Sequence, residues 1–351
     1  MNNRNISFDY AKGIGILIVV FAHLWRGMEG AGLLKDVPTL WFYALSSSST
    51  IWSMPAFFFV SGALYSASME KRNGMREIAG KFDGIFYPYI VWSIIIGAFE
   101  VVGTGYTNGS TSLASLLSIP WAPRSIFWFL YALFEAFLLT ELIIFATSPK
   151  VTRIIVPVIG LVFLLIWKPI NLPFSLSEFQ MSFIYFSFGI FCAPYMRKGQ
   201  IDSKAMLLAS FVGILAILYV FHIQYAARTY SFRSVTPNAA PIAALALIAF
   251  LLCCYSLPER GLGWLSTLGQ RSMDIYLMHL LFIVPTRILL QKFLGLTDIY
   301  LFLLIGIIIG LTGPILVSNF LRKIGMNWLF SPPDLISLKM KIRPAQSSVG
   351  R

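Results

Sequence analysis

Residues 1–25 read MNNRNISFDYAKGIGILIVVFAHLW, and from Gly13 to Ala22 no side chain is polar. A helix needs about 20 mainly apolar residues to cross the roughly 30 Å hydrocarbon layer, because lipid offers no partner to an open backbone. The run has that reach. It starts from a polar stretch and lacks a small-residue cleavage site, so it reads as a retained first span and not as a removable leader.

Outward from this stretch, similar segments recur at about residues 48–68, 84–103, 125–146, 151–168, 179–196, 203–222, 238–256, 273–293 and 299–321. With the first, at about 8–26, they predict an all-α, polytopic transmembrane helix bundle of about ten spans. Hydrophobic residues make up 57% of the chain and charged residues 12%, about half the charged share of a soluble domain. The spans leave no room for a separate soluble domain. Residues 1–330 form one integral membrane domain, and the polar, basic, proline-containing stretch 331–351 reads as a disordered cytoplasmic tail.

An even span count puts both termini on one side, and the basic residues say which. Arg4, the Lys71/Arg72/Arg76/Lys81 connection, Lys150, Arg153, Arg197, Lys198, Lys204, Arg260, Arg271 and the tail from Arg322 fall together. Only Lys35, Arg124, Lys168, Arg228, Arg233 and Lys292 fall opposite. Positive connections stay in the cytoplasm, so both termini are expected there, as in a multi-pass protein of a bacterial inner membrane. The net charge of +12 is thereby topological, since its carriers are scattered and form no stripe for nucleic acid. Cys192, Cys253 and Cys254 lie in apolar segments without metal-ligand or disulfide spacing, so neither a metal nor a bound cofactor is expected.

An ionisable group inside a span costs several kcal/mol and marks a functional candidate. Lys12 and His23 are 11 residues apart, which is three helical turns plus about 20°, or about 16 Å along one face. Asp9 stands one turn before Lys12, placed to pair with it, and Gly13 and Gly15 suit close packing by another helix. Lys12 snorkelling to the interface and His23 serving only to pack are the plain alternatives. Further along, Arg76 and Lys81 belong to a basic patch able to meet phosphates or anionic headgroups. Ser61, Glu135, Asp274 and His279 complete the candidates for a polar cavity. Glu135 and Glu141, six residues apart, point about 240° from each other and form no ready carboxylate pair.

The run FDYAKGIGILIVVFAHL resembles the first span of the acyltransferase family three membrane proteins, whose hallmark is a basic residue followed, after ten others, by histidine. Lys12 and His23 fit that spacing, although the family more often has arginine first. FFFVSGALY (57–65), FWFLYALF (127–134) and LGQRSMDIYLMHLLF (268–282) are similar to its later phrases, in order, over nearly the whole chain. Many members carry two arginines three apart at the third span. Here Lys81 is followed three later by Gly84, so Arg76 would share that task.

The resemblance implies transfer of an acyl group, usually acetyl from cytoplasmic acetyl-CoA as co-substrate, to a hydroxyl of a cell-surface polysaccharide or its lipid-linked precursor. The expected partners are thus an acyl-CoA donor, a carbohydrate or glycolipid acceptor and membrane lipid. Coenzyme A is a polyanion with a thin arm ending in the thioester. Lys12, Arg76 and Lys81 would hold its phosphates, because cations near a desolvated anion gain more than in water. His23 would act at the thioester end, since neutral imidazole can deprotonate a hydroxyl at neutral pH. A histidine-acyl intermediate is equally compatible with the sequence. A transporter or flippase for an envelope lipid or glycan is the alternative from another class, but such folds favour paired, related halves, and no internal repeat is visible.

Overall fold

The computed structural model describes residues 5–35, 52–69, 74–103, 113–167, 172–196, 203–226, 240–258 and 260–342. Arg4, the start of the second expected span at 48–51, Lys71 and Arg72, and residues 343–351 of the tail lie outside the described residues.

In chain order the main helices are α1 (Ile6–Gly30), α2 (Met54–Ser68), α3 (Gly74–Val102), α4 (Ser125–Ala146), α5 (Pro149–Ile166), α6 (Leu176–Cys192), α7 (Ser203–Ala226), α8 (Ala240–Ser256), α9 (Gly263–Gln270), α10 (Ser272–Ile288) and α11 (Ile299–Lys323). No strand occurs among the described residues. Each of the ten apolar stretches falls on one of these helices, and α9 is the additional, shorter one. Seven helices are long and apolar enough to cross a membrane by length and composition: α1, α3, α4, α5, α10, α11 and the run Pro173–Tyr195 that contains α6. Shorter apolar helices occur at Met54–Ser68, Lys204–Leu215 and Ala243–Ser256. The chain is an all-helical, multi-pass membrane protein.

Local chemistry sets several boundaries. The Asn5 side chain accepts the Ser7 N–H at 3.1 Å and starts α1. Between α4 and α5, Ser148 accepts from the Val151 N–H, and Pro149 follows in the first turn, where its missing N–H costs nothing. That cap lets a break of few residues separate two helices, and α5 continues through Pro157. The third apolar stretch begins earlier than its hydropathy suggests. α3 is already helical at Gly74 and widens by one residue at Phe82–Phe86, where the Tyr87 N–H bonds back to the Phe82 carbonyl.

The described structure divides into two compact units. The first comprises residues 1–61, 99–111 and 194–318, and within it α1 packs against α8, α9 and α10. Ile16, Val20, Leu24 and Met28, four residues apart along α1, are fully buried. α1 and α9 touch at backbone level: a Cβ on Gly269 would overlap the Asp9 carbonyl, and one on Gly13 that of Leu265. Lipid tails give helices no apolar reason to associate, so close approach at small residues is what binds them.

The second unit comprises residues 62–98, 112–193 and 319–351. α4 lies against α5 and α6, with Ala132, Ala136, Phe183 and Phe186 buried. The chain after α11 belongs to this unit, and part of the stretch 331–351, expected to be disordered, takes a defined course. The Ser337 hydroxyl donates to Asp83 Oδ2 at 2.6 Å, and the N–H groups of Leu338 and Lys339 donate to the same carboxylate at 3.1 Å each. A single helical turn, Leu338–Lys341, follows. Composition could not show this, because the ordering group lies 254 residues earlier in the chain.

Candidate functional site

α1 runs without interruption from Ile6 to Gly30, so the helical spacing that puts Lys12 and His23 on one face applies throughout. Lys12 Nζ lies 3.1 Å from Asp9 Oδ1, the local pair expected from the spacing. The Asp9 side chain is only 4% exposed and that of Lys12 21%, so the lysine keeps a solvent-facing edge while its partner is enclosed.

At the other end of the stripe His23 is half-buried and faces a second imidazole. The rings of His23 and His279 stand 5.2 Å apart, centroid to centroid, tilted by 43°. His279 is completely buried on α10. Its Nδ1 lies 3.1 Å from the Ile275 carbonyl and 2.8 Å from that of Tyr276, while its Nε2 is buried with no hydrogen-bond partner among the described residues. Two histidines 256 positions apart in sequence thereby share one place in the first unit, at the His23 end of the α1 face that also carries Lys12.

Of the remaining candidates in this unit, Asp274 is structural in its surroundings. It pairs with Arg271 at 3.3 Å and accepts from Ser318 at 3.2 Å. Five residues separate it from His279, so the two leave α10 about 140° apart. Ser61 is half-buried on α2. Two arginines lie outside the residues that the sequence singles out. Arg26, one turn beyond His23, is near enough for its charge to act on that imidazole. Arg287, 4% exposed, runs its side chain past Gly27. Both sit near span ends, where a basic residue resembles an interfacial anchor, and only packing reveals that Arg287 is enclosed.

The second unit holds the other predicted residues. Lys81 Nζ sits 4.2 Å from the centre of the Phe137 ring and 5.5 Å from that of Tyr65, an aromatic setting that favours a desolvated cation. The Tyr65 hydroxyl donates to Glu141 Oε1 at 2.5 Å, and Arg153 reaches the Ser66 hydroxyl and carbonyl at 3.4 Å. Arg76 has a buried Nε without a hydrogen-bond partner among the described residues. Glu135 stands apart from these, its Oε2 buried and unpartnered, with Glu178 of α6 near enough for their charges to interact. Glu141, Tyr65 and Arg153 were absent from the expected site. The signal that could have found Glu141 is its place within the apolar stretch 125–146, with LLT before it and LIIFA after it.

The first unit thus brings two imidazoles together, and the second unit sets Lys81 among aromatic rings. No group of three or more His, Cys, Asp or Glu side chains among the described residues could hold a metal ion.

A family model described as "Acyltransferase domain" matches residues 5–318. The nodulation protein NolL of Sinorhizobium fredii is 23% identical over 300 residues, covering 79% of this chain and 78% of that protein. NolL of Mesorhizobium japonicum is 25% identical over 142 residues, 40% of this chain and 36% of that protein. No solved structure gives a significant match.

Proposed function

Starting from the chain's membership of acyltransferase family three, which makes it a membrane O-acyltransferase, we propose that it moves an acetyl group from cytoplasmic acetyl-CoA to a hydroxyl of a cell-surface polysaccharide or its lipid-linked precursor. In this reading His23 is the general base. It takes the acceptor's hydroxyl proton as the oxygen attacks the thioester carbonyl. The C–S bond then breaks, and the departing thiolate recovers the proton, giving the ester and free coenzyme A.

The observation that carries the reading is the uninterrupted α1, which holds Lys12 and a half-buried His23 on one face, with a second imidazole 5.2 Å behind the histidine. Lys12 is proposed to meet the phosphates of the donor. Arg76 and Lys81, in the other unit, are proposed for the same kind of group. The topology proposed with this function has ten spans, counting the seven long helices and the three shorter apolar ones, with both termini in the cytoplasm of a bacterial inner membrane.

The test is transfer from labelled acetyl-CoA by purified protein in detergent, with an envelope extract as acceptor. His23→Ala is expected to lower transfer by about 10²- to 10⁴-fold, the span of general-base contributions, while insertion into the membrane is unchanged. Normal transfer by that variant would end the assignment.

A further inference from the structure

We propose that His279 is the positioning residue of the transfer reaction, fixing the tautomer and direction of the His23 ring; the inference rests on His23 being the base. Both atoms near His279 Nδ1 are carbonyl oxygens, Ile275 at 3.1 Å and Tyr276 at 2.8 Å. A carbonyl oxygen can only accept, so Nδ1 carries the hydrogen and donates it. The neutral ring then has its lone pair on Nε2. That atom is buried and has no hydrogen-bond partner among the described residues.

A buried acceptor without a donor is costly, so such an atom calls for a function. The imidazole next to the His279 ring is that of His23. Two imidazoles joined by a straight N–H···N bond of about 2.9 Å have centroids about 5 Å apart, once a ring radius is added at each end. The observed separation is 5.2 Å, so the two ring positions are compatible with such a bond without moving either helix. Bonds of this kind are often open before substrate binds and tighten in the reacting complex.

The consequence is a chain of fixed donors. The backbone of α10 orients His279, and His279 Nε2 accepts the N–H of His23. The other His23 nitrogen is left with its lone pair toward the acceptor hydroxyl. A serine-protease aspartate serves its histidine in the same manner, by holding the tautomer. Here the holding group is neutral, as suits a site within the hydrocarbon layer, where an extra carboxylate would be costly. No atom or proton is gained or lost by His279 over the cycle.

The experiment compares His279→Asn with His279→Gln, using purified protein, labelled acetyl-CoA and the same envelope extract, with rates expressed per folded protein. Asparagine can keep the donor to the helix carbonyls but leaves no acceptor at the Nε2 position. Glutamine places an amide oxygen there. His279→Asn is expected to lower kcat by about 10- to 100-fold, the cost typical of a group that orients a reacting one, with KM for acetyl-CoA within about twofold of the parent. His279→Gln is expected to recover most of that loss. Any other pattern overturns the inference, including equal loss in both variants, no loss in either, or failure of both to fold. His23→Ala is run beside them. Transfer surviving there overturns the catalytic reading itself, whereas transfer lost there but kept in His279→Asn overturns only the role of His279.

Discussion

Glu141 and Glu135 occupy one helix yet live in different surroundings, and the difference follows from their angular separation on α4. Glu141 is completely buried and accepts the Tyr65 hydroxyl, while Glu135 is buried at Oε2 without a hydrogen-bond partner among the described residues. A carboxylate inside a membrane protein is kept only where donors reach it, so Tyr65 is expected to contribute measurably to stability. Tyr65→Phe should cost about 1–2 kcal/mol, between the values for a bond to a charged group in water and for a typical interhelical bond in a bilayer. A lowered unfolding midpoint in detergent would register it, and an unchanged midpoint would mean that Glu141 relies on other donors. The sequence showed that the two glutamates do not pair, because helical angle is a property of spacing alone. It could not name Tyr65, which comes from another helix 76 positions away.

At the scale of elements, α3 and the chain end after α11 are tied at one residue. Asp83 lies in the widened turn of α3, where one extra residue per turn changes the direction in which side chains leave the helix. There it takes three hydrogen bonds from Ser337, Leu338 and Lys339. The carboxylate caps the turn Leu338–Lys341 from outside its own sequence, as a local cap residue would from within. Asp83→Ala is expected to release this segment, and brief trypsin treatment of detergent-purified protein should then cut after Lys339 and Lys341 far faster than in the parent. Equal cutting would show that other contacts hold the segment. Most of the helix pattern was legible beforehand, since each apolar stretch became a helix. The start of α3 at Gly74 was not, because Met75 to Ala79 mixes charged and apolar residues and hydropathy has no sign for a helix of that kind.

For the whole molecule, the proposed ten-span arrangement predicts that reporters fused at Met1 and at Arg351 respond alike. A fluorescent protein that matures only in the cytoplasm should be bright at both ends, and alkaline phosphatase, active only outside it, should be silent at both. Opposite responses would require an odd number of spans. The helical, multi-pass character was available to reading because the bilayer imposes it: its thickness sets how long an apolar run must be. The pairing of Lys12 with Asp9 was equally open, as both lie within one turn of one helix. The meeting of His23 with His279, the burial of Arg287 and the capture of Ser337 by Asp83 were decided only by tertiary packing. Periodicity tells which way a side chain leaves its own helix, but not which distant helix will stand there to receive it.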